Sequence, residues 1–426
     1  MKTDYAPIFA NKTKSEIEAE LHEIMLASLT AKYGKQPDAR ITERVQQEWH
    51  AMEAADATLY IAALVELTMW MERNGYAYWH TTGSASILFY LLGITYSNPL
   101  PAHYVSLEDG KVIWKDEYKD GFDMPYDYKD ASDGNTYIPD GHNIPWQTFW
   151  GYDKPLDGEV RVLSSLHDEI ITIFKKHWLR NFHEEAIPET PFPEYKKLIR
   201  VGCLTFVASI EECNIHIPFR GTSVSAEEAN GVALDNWEAL VHVPVDLLES
   251  IEQPSYFSDL VALCGLMRST NGWDEDSEYM VNNLGYSLSD LICHRDDVFF
   301  YLQSHGFIDK DAWRGAECVR KNKELPVITA EMVNAKDKWV LDRCERISYL
   351  FPKAHSVEYI FFCIKTGHFV CVERQDETSE RHRHHGDILE RLAPQTKDMD
   401  DDTLKAFLKN ALDSSEAAVY LHSEDK

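Results

Sequence analysis

The sequence predicts an α+β fold that is predominantly helical, and two observations carry that expectation. Apolar residues recur at helical spacing along residues 13–75 and again from about 255 to 372. The stretch between them mixes Pro- and Gly-rich loops with short strand-like runs. A chain of 426 residues with 44% hydrophobic and 12% aromatic content can build sizeable cores, divided over two or three domains.

In the first stretch Ile17, Leu21, Ile24 and Met25 make one stripe, and Ile41, Val45, Trp49 and Met52 another. Gly75 stands where a helix ends, and a break is expected near Asp56. Residues 98–155, crowded with Pro, Gly, Asp and Tyr, read as a long irregular loop region with one hairpin around Asp109-Gly110. Residues 156–254 combine a helix at 166–178 with strands at 199–210 and 215–219. Helices return beyond Pro254, one of them predicted over 289–304. A polar tail ends in one amphipathic helix at 404–412. The expected domains are therefore 1–155, 156–254, 255–372 and the tail 373–426.

Forty-two basic residues against 71 acidic ones give a net charge of −29. This excludes a protein that coats nucleic acid nonspecifically, because that affinity comes from Lys and Arg on phosphates. A local basic cleft or bound Mg²⁺ would still offset it. The opening residues lack the apolar core of a signal peptide and no uninterrupted run of about 18 apolar residues occurs, so a soluble, cytoplasmic protein with no membrane partner is expected. The cysteines at 203, 213, 264, 293, 318, 344, 363 and 371 include no C-x-x-C pair. Reduced core thiols are expected, with neither a disulfide framework nor a zinc ribbon.

Three places raise a chemical question. DGHNIPWQTFWGYDKPLDGEVRV, residues 140–162, runs from a loop toward a strand and sets Asp157 and Glu159 at alternate positions. In an extended segment i and i+2 share a face, so the pair is a candidate Mg²⁺ site. Arg161 falls on that face too, and a solvated pair beside a counter-charge is the simpler reading. Arg295 lies within an apolar stripe of Leu288, Leu291, Ile292, Val298, Phe299 and Leu302, so it needs a carboxylate such as Asp296 or an anionic ligand. Pro352 suits the first turn of a helix, which puts Lys353 and His355 at the positive end where backbone N–H groups favour an anion. The apolar residues around them equally make a packed helix start. The RHRHH run at 381–385 reads as a solvated turn rather than a metal site.

NPLPAHY (98–104), GFDMP (121–125), DGHNIPWQTFWGY (140–152), HRDDVFFYLQSHG (294–306), VRKNKEL (319–325) and YLFPKAHSVEY (349–359) occur in that order. Together they resemble the PolC-type α subunit of bacterial DNA polymerase III, a C-family replicative polymerase. The resemblance covers roughly 15–155, the approach to the palm, and 255–370, the fingers. It implies a remnant of the polymerase palm joined to helical fingers, with 156–254 in place of a longer palm core. No stretch matches that family's exonuclease, histidinol-phosphatase-like domain or clamp-binding end.

The resemblance also implies which residues would carry phosphoryl transfer on two metals. Counted without a gap from Gly151-Tyr152, the family's two Asp positions carry Glu159 and Arg161; a two-residue gap brings Asp157 and Glu159 there instead. A third carboxylate, Asp235 or Asp246, has no matching context. The family's Gly-Ser-Arg-Gly-Ser loop falls on Tyr78-Trp79-His80-Thr81-Thr82, with Gly83-Ser84 next, and its zinc-knuckle cysteines have no counterpart before Cys203. In the fingers Arg295, Arg320, Lys321, Lys323, Lys353 and His355 are the candidate nucleotide or phosphate contacts.

The expectation is a catalytically degenerate relative that binds nucleotide, primer–template DNA or a replication protein, as an accessory, decoy or defence factor, without zinc. Mg²⁺ enters only under the alternative, a minimal DNA polymerase or nucleotidyltransferase on Asp157 and Glu159. A purely structural interaction module is the third reading.

Overall fold

Thr13 opens the first helix of the computed structural model, which describes residues 8–9, 12–74, 78–80, 84–126, 128–146, 158–162, 184–186, 195–201, 204–209, 215–216, 251, 253–320, 343–366 and 368–369. The Thr13 side chain accepts from Glu16 N, and Thr13 N donates to the Glu16 carboxylate at 2.7 Å, a capping box that satisfies two orphan donors. Helix α1 (Lys14–Tyr33) buries Ile17, Leu21, Met25, Leu29 and Tyr33. Helix α2 (Ala39–Ala54), capped by Asp38, buries Ile41, Val45, Trp49 and Met52, the stripe legible in the sequence. Asp56 takes a φ of 54°, the chain turns, and α3 (Thr58–Arg73) enters the core. No single helix among the described residues is long and apolar enough to cross a membrane. Helices α2 and α3 pass that test only as a pair bent by 115°, and the apolar side chains of α3 are mostly buried in the core.

After β1 (Trp79–His80) and the short α4 (Ile87–Leu91) come β2 (His103–Ser106), β3 (Val112–Trp114), β4 (Tyr128–Lys129) and β5 (Thr136–Asp140). The last four form an antiparallel sheet in the order β3-β2-β5-β4. The β2–β3 hairpin turns where Asp109-Gly110 predicts it. The irregular region expected around it is mostly loop among its described residues, but it also carries β4 and β5, which complete a four-stranded sheet. Aromatic packing closes that sheet: Tyr104, Met124, Tyr137 and Ala102 form a small core, and the Tyr104 ring stacks on Tyr128 at 4.8 Å. Lys111 adds an ion pair to Asp133 at 2.7 Å. Pro139 and the many turn residues mask this alternation in the sequence.

A second sheet joins β1 to β6 (Gly158–Val162), β7 (Glu184–Ala186), β8 (Tyr195–Val201) and β9 (Leu204–Ser209) in the order β1-β6-β9-β8-β7. Strand β6 runs parallel to β9 and the other pairs are antiparallel. The strand expected at 199–210 is thus the end of one strand and all of the next, since the apolar run of the sequence continues from one into the other. Strand β10 (Ile215–His216) pairs with β11 (His368–Phe369). The helices expected at 166–178 and 404–412 and the RHRHH run lie outside the described residues.

Helices α5 (Phe257–Arg268), α6 (Glu275–Leu284), α7 (Arg295–Ser304), α8 (Asp309–Arg320) and α9 (Lys353–Thr366) make the second helical body. The helix expected over 289–304 begins only at Arg295. Asp297 Oδ2 accepts from His294 N at 2.7 Å and Cys293 N at 2.9 Å, so this cap, not the apolar periodicity, fixes the start. The architecture is α+β and mostly helical.

The loops carrying NPLPAHY, GFDMP and DGHN close on one another between the two helical bodies. His142 N donates to Asn98 O at 2.9 Å, Asn143 N to Leu100 O at 2.9 Å, Ile144 N to Pro99 O at 2.9 Å and Gly121 N to Gly141 O at 2.6 Å. A Cβ on Gly121 would stand 2.1 Å from Asp140 O, and one on Gly141, at φ +91°, 2.4 Å from Pro101 O. Both positions require glycine.

Gly121→Ala must push two backbones apart and is expected to cost about 2–4 kcal/mol. Gly134→Ala, at φ +76° with open space around it, should cost only about 1 kcal/mol. Urea unfolding of the two variants measures the difference, and equal losses would refute the close contact.

Candidate functional site

The strand on which metal carboxylates are expected is β6. Val160 is buried in the core built by α1 to α4. The two-residue period therefore places positions 159 and 161 together on the opposite face. Register extends that face across the sheet: Trp79 pairs with Arg161, Thr205 with Glu159 and Val207 with Arg161. One acid and one base thus share the face, and the neighbouring strand, Leu204–Ser209, contains no carboxylate. On the ungapped count from Gly151-Tyr152 a cation would stand in place of the second ligand, where it would repel a metal. Asp157, Asp235 and Asp246 lie outside the described residues. Among the described residues no group of three or more His, Cys, Asp or Glu side chains is placed to hold a metal. Where the resemblance implies a zinc knuckle, the residues do not fit one, because the tyrosine-lined sheet core stands there and no cysteine precedes Cys203.

Where the resemblance implies a glycine-rich phosphate loop, the first position carries a packed ring. Tyr78 is buried, its hydroxyl donates to Gly93 O at 2.7 Å and its ring lies 4.8 Å from that of Tyr96. Thr81, Thr82 and Gly83 lie outside the described residues. Ser84 is buried, and its carbonyl accepts from Ser97 Oγ at 3.3 Å.

The structure gathers Arg295, Arg320, Lys353 and His355 around the start of α7 and α9. Arg295 is buried, with Nη1 on Glu317 Oε1 at 3.0 Å, its Nε 3.8 Å from Asp296 and its guanidinium 4.8 Å from the Trp313 ring. Arg320 grips the same Glu317 through Nε at 2.7 Å and Nη2 at 2.8 Å. Two guanidiniums therefore converge on one carboxylate. The buried Asp296 accepts from Lys353 N at 2.7 Å, so an internal carboxylate occupies the helix N-terminus expected to attract an anion. Lys353 Nζ reaches the carbonyls of Lys119 at 3.4 Å and Asn143 at 3.3 Å, and the His355 ring lies 5.7 Å from Phe351. Lys321 and Lys323 lie outside the described residues.

Sequence reasoning missed the buried acids behind this cluster. Glu358, on α9, accepts at Oε1 from Tyr96 N at 2.9 Å, Ser97 N at 2.7 Å and Ser97 Oγ at 2.6 Å, while Oε2 has no partner. Burial pushes its carboxyl up to about 7, against the pull of the Ser97 and Tyr96 donors. The only signal was a glutamate inside the apolar run VEYIFF. His142 Nδ1 lies 3.0 Å from both oxygens of the buried Asp120, and its ring packs against Phe122, Phe257 and Phe361. Asp123 accepts from Ser258 N at 2.9 Å, yet burial and then the Asp120 charge push it up to about 6.

The chain resembles the PolC-type α subunit of bacterial DNA polymerase III. Its curated relatives include proteins named DNA polymerase III PolC-type. That of Thermotoga petrophila is 27% identical over 465 residues, covering 81% of this chain and 34% of the relative. Those of Staphylococcus saprophyticus and Bacillus subtilis are 34% and 35% identical over 119 residues, covering 28% of this chain and 8% of each relative. The chain spans about a third of the length of the Thermotoga relative. It matches no protein-family model.

The folded Glu358 holds a proton that the unfolded chain releases above its ordinary value of 4.5. Its contribution to stability is therefore present below pH 4.5 and lost as pH rises through about 7. Wild type is expected to lose about 3 kcal/mol across that window relative to Glu358→Gln. Urea midpoints at several pH values measure this, and parallel profiles for the two proteins would disprove it.

Proposed function

We propose that this PolC relative works by binding a replication protein rather than by joining nucleotides. The β6 register carries the proposal: Glu159 and Arg161 share one face, next to a strand without carboxylates, where two-metal chemistry needs paired acids. The packed Tyr78 ring supports it, since a backbone phosphate cradle needs open N–H groups. The fingers-like cluster favours a protein partner over nucleotide or DNA. Arg295 and Arg320 are held by Glu317, Asp296 caps α9, and the chain carries −29. Neither Mg²⁺ nor zinc has a part in this reading. Accessory, decoy and defence roles are all forms of it.

Purified protein given primed template, four dNTPs and Mg²⁺ is expected to yield no extended product on a denaturing gel. Extension that disappears in Asp157→Asn would overturn the proposal and establish the minimal polymerase on Asp157 and Glu159.

A further inference from the structure

Two acids tie α5 and α9 to the block of motif loops, one from each side of the junction. Glu358 is buried and reaches from α9 to the N–H groups of Tyr96 and Ser97 and to the Ser97 hydroxyl. All three donors converge on Oε1, and Oε2 is left without a partner. Asp123 reaches the opposite way, from the GFDMP loop to Ser258 N in the first turn of α5. At the same junction the loop rings Phe122 and His142 pack against Phe257 of α5 and Phe361 of α9. Such surroundings suit a neutral carboxyl group and penalise a carboxylate.

The neighbours of the two acids decide which form is kept. Glu358 faces Tyr78, Tyr96 and His142, and His142 is already held by Asp120. Asp123 faces Asp120 and Asp259, both acids. Of the elements packed against α9, α5 carries Asp259 and Arg268, whose guanidinium lies 3.9 Å over the Tyr359 ring, while β1 carries His80 and β11 carries His368. Against the turn that holds Asp123, β5 brings Asp140, and against α5 the 288–290 turn brings Asp290, which is paired with Lys119. Burial outweighs the donors at Glu358 and pushes it up to about 7, and burial with the Asp120 charge pushes Asp123 up to about 6.

We propose that this junction is a proton-operated latch: neutral Glu358 and Asp123 lock α9 and α5 onto the motif loops, and loss of their protons opens the seam locally while the core of α1 to α4 stays folded. The closed seam holds protons that an opened one releases above the ordinary values of 4.5 and 3.8. Fastening is therefore complete below those values and is lost as pH rises through about 6 at Asp123 and about 7 at Glu358. The latch does not depend on what the chain binds.

Amide hydrogen exchange on the full chain tests it at Tyr96, Ser97 and Ser258, whose N–H groups the two acids receive. After correction for the intrinsic effect of pH on exchange, protection at Tyr96 and Ser97 is expected to fall about tenfold or more between about pH 5.5 and about pH 7.5. The fall at Ser258 should be smaller, because Asp123 completes its titration lower. Glu358→Gln keeps an acceptor but has no proton to lose, so it should hold Tyr96 and Ser97 at their low-pH protection, and Asp123→Asn should do the same for Ser258. At the higher pH all three amides should exchange ahead of those of α3, which marks opening of the seam rather than of the whole chain. Exchange that coincides with α3 overturns the latch. So does a wild type whose protection at these amides ignores pH, a result that needs no variant to fold. A pH response that survives Glu358→Gln/Asp123→Asn assigns the effect to other groups and equally overturns it.

Discussion

The close approach of backbone to backbone at Gly121, Asp140 and Pro101 sets the positions of the other parts. Peptide groups that near one another exclude side chains, so two glycines and a run of main-chain hydrogen bonds hold three loops in one block. That block then presents Phe122 and His142 to Phe257 and Phe361, which seats α5 and α9. On its other side Asn98 donates to the Tyr33 hydroxyl and to Asp140, which ties the end of α1 to the sheet. Two hydrophobic cores of separate sequence origin are thereby joined through a polar, hydrogen-bonded seam. Such a seam specifies one arrangement more sharply than apolar contact does, because a displaced partner leaves a buried polar group unsatisfied.

Carboxylates hold the second helical body together. Asp296 and Asp297 satisfy the backbone donors at two helix starts, Glu317 draws two arginines inward, and Glu358 collects three donors from the loop before Asn98. Asp296 occupies the α9 start, a place that an external anion would otherwise fill. A phosphate arriving at α9 would have to expel Asp296 into an apolar interior, which costs far more than a surface exchange. The acidic excess of the composition is therefore partly internal.

Much of the fold was legible because its signals are local. The stripes of α1 and α2, the break at Asp56 and the hairpin at Asp109-Gly110 depend on neighbours a few residues apart. The need of Arg295 for a partner was equally plain, but Glu317 lies twenty-two residues away on another helix, and no local pattern names it. Strands β4 and β5 escaped notice because their pairing depends on tyrosines brought together across a long turn. A lone acid such as Glu358 in an apolar helix reads as a solvated edge until the loop that receives it is in place. The motifs DGHN and GFDMP were visible only as a likeness, and their physical work, closing the junction, needs the three-dimensional contacts.

Helix α9 is fastened twice within its first two turns, by Asp296 at Lys353 and by Glu358 at Ser97. The two fasteners belong to different bodies, one to the start of α7 and the other to the loop before Asn98. Any swing of α9 relative to the sheets would break hydrogen bonds at both ends of a short lever and strand two buried carboxyl groups in oil-like surroundings. A partner of the kind proposed would therefore meet a surface already formed by these bonds, with no reshaping step before contact.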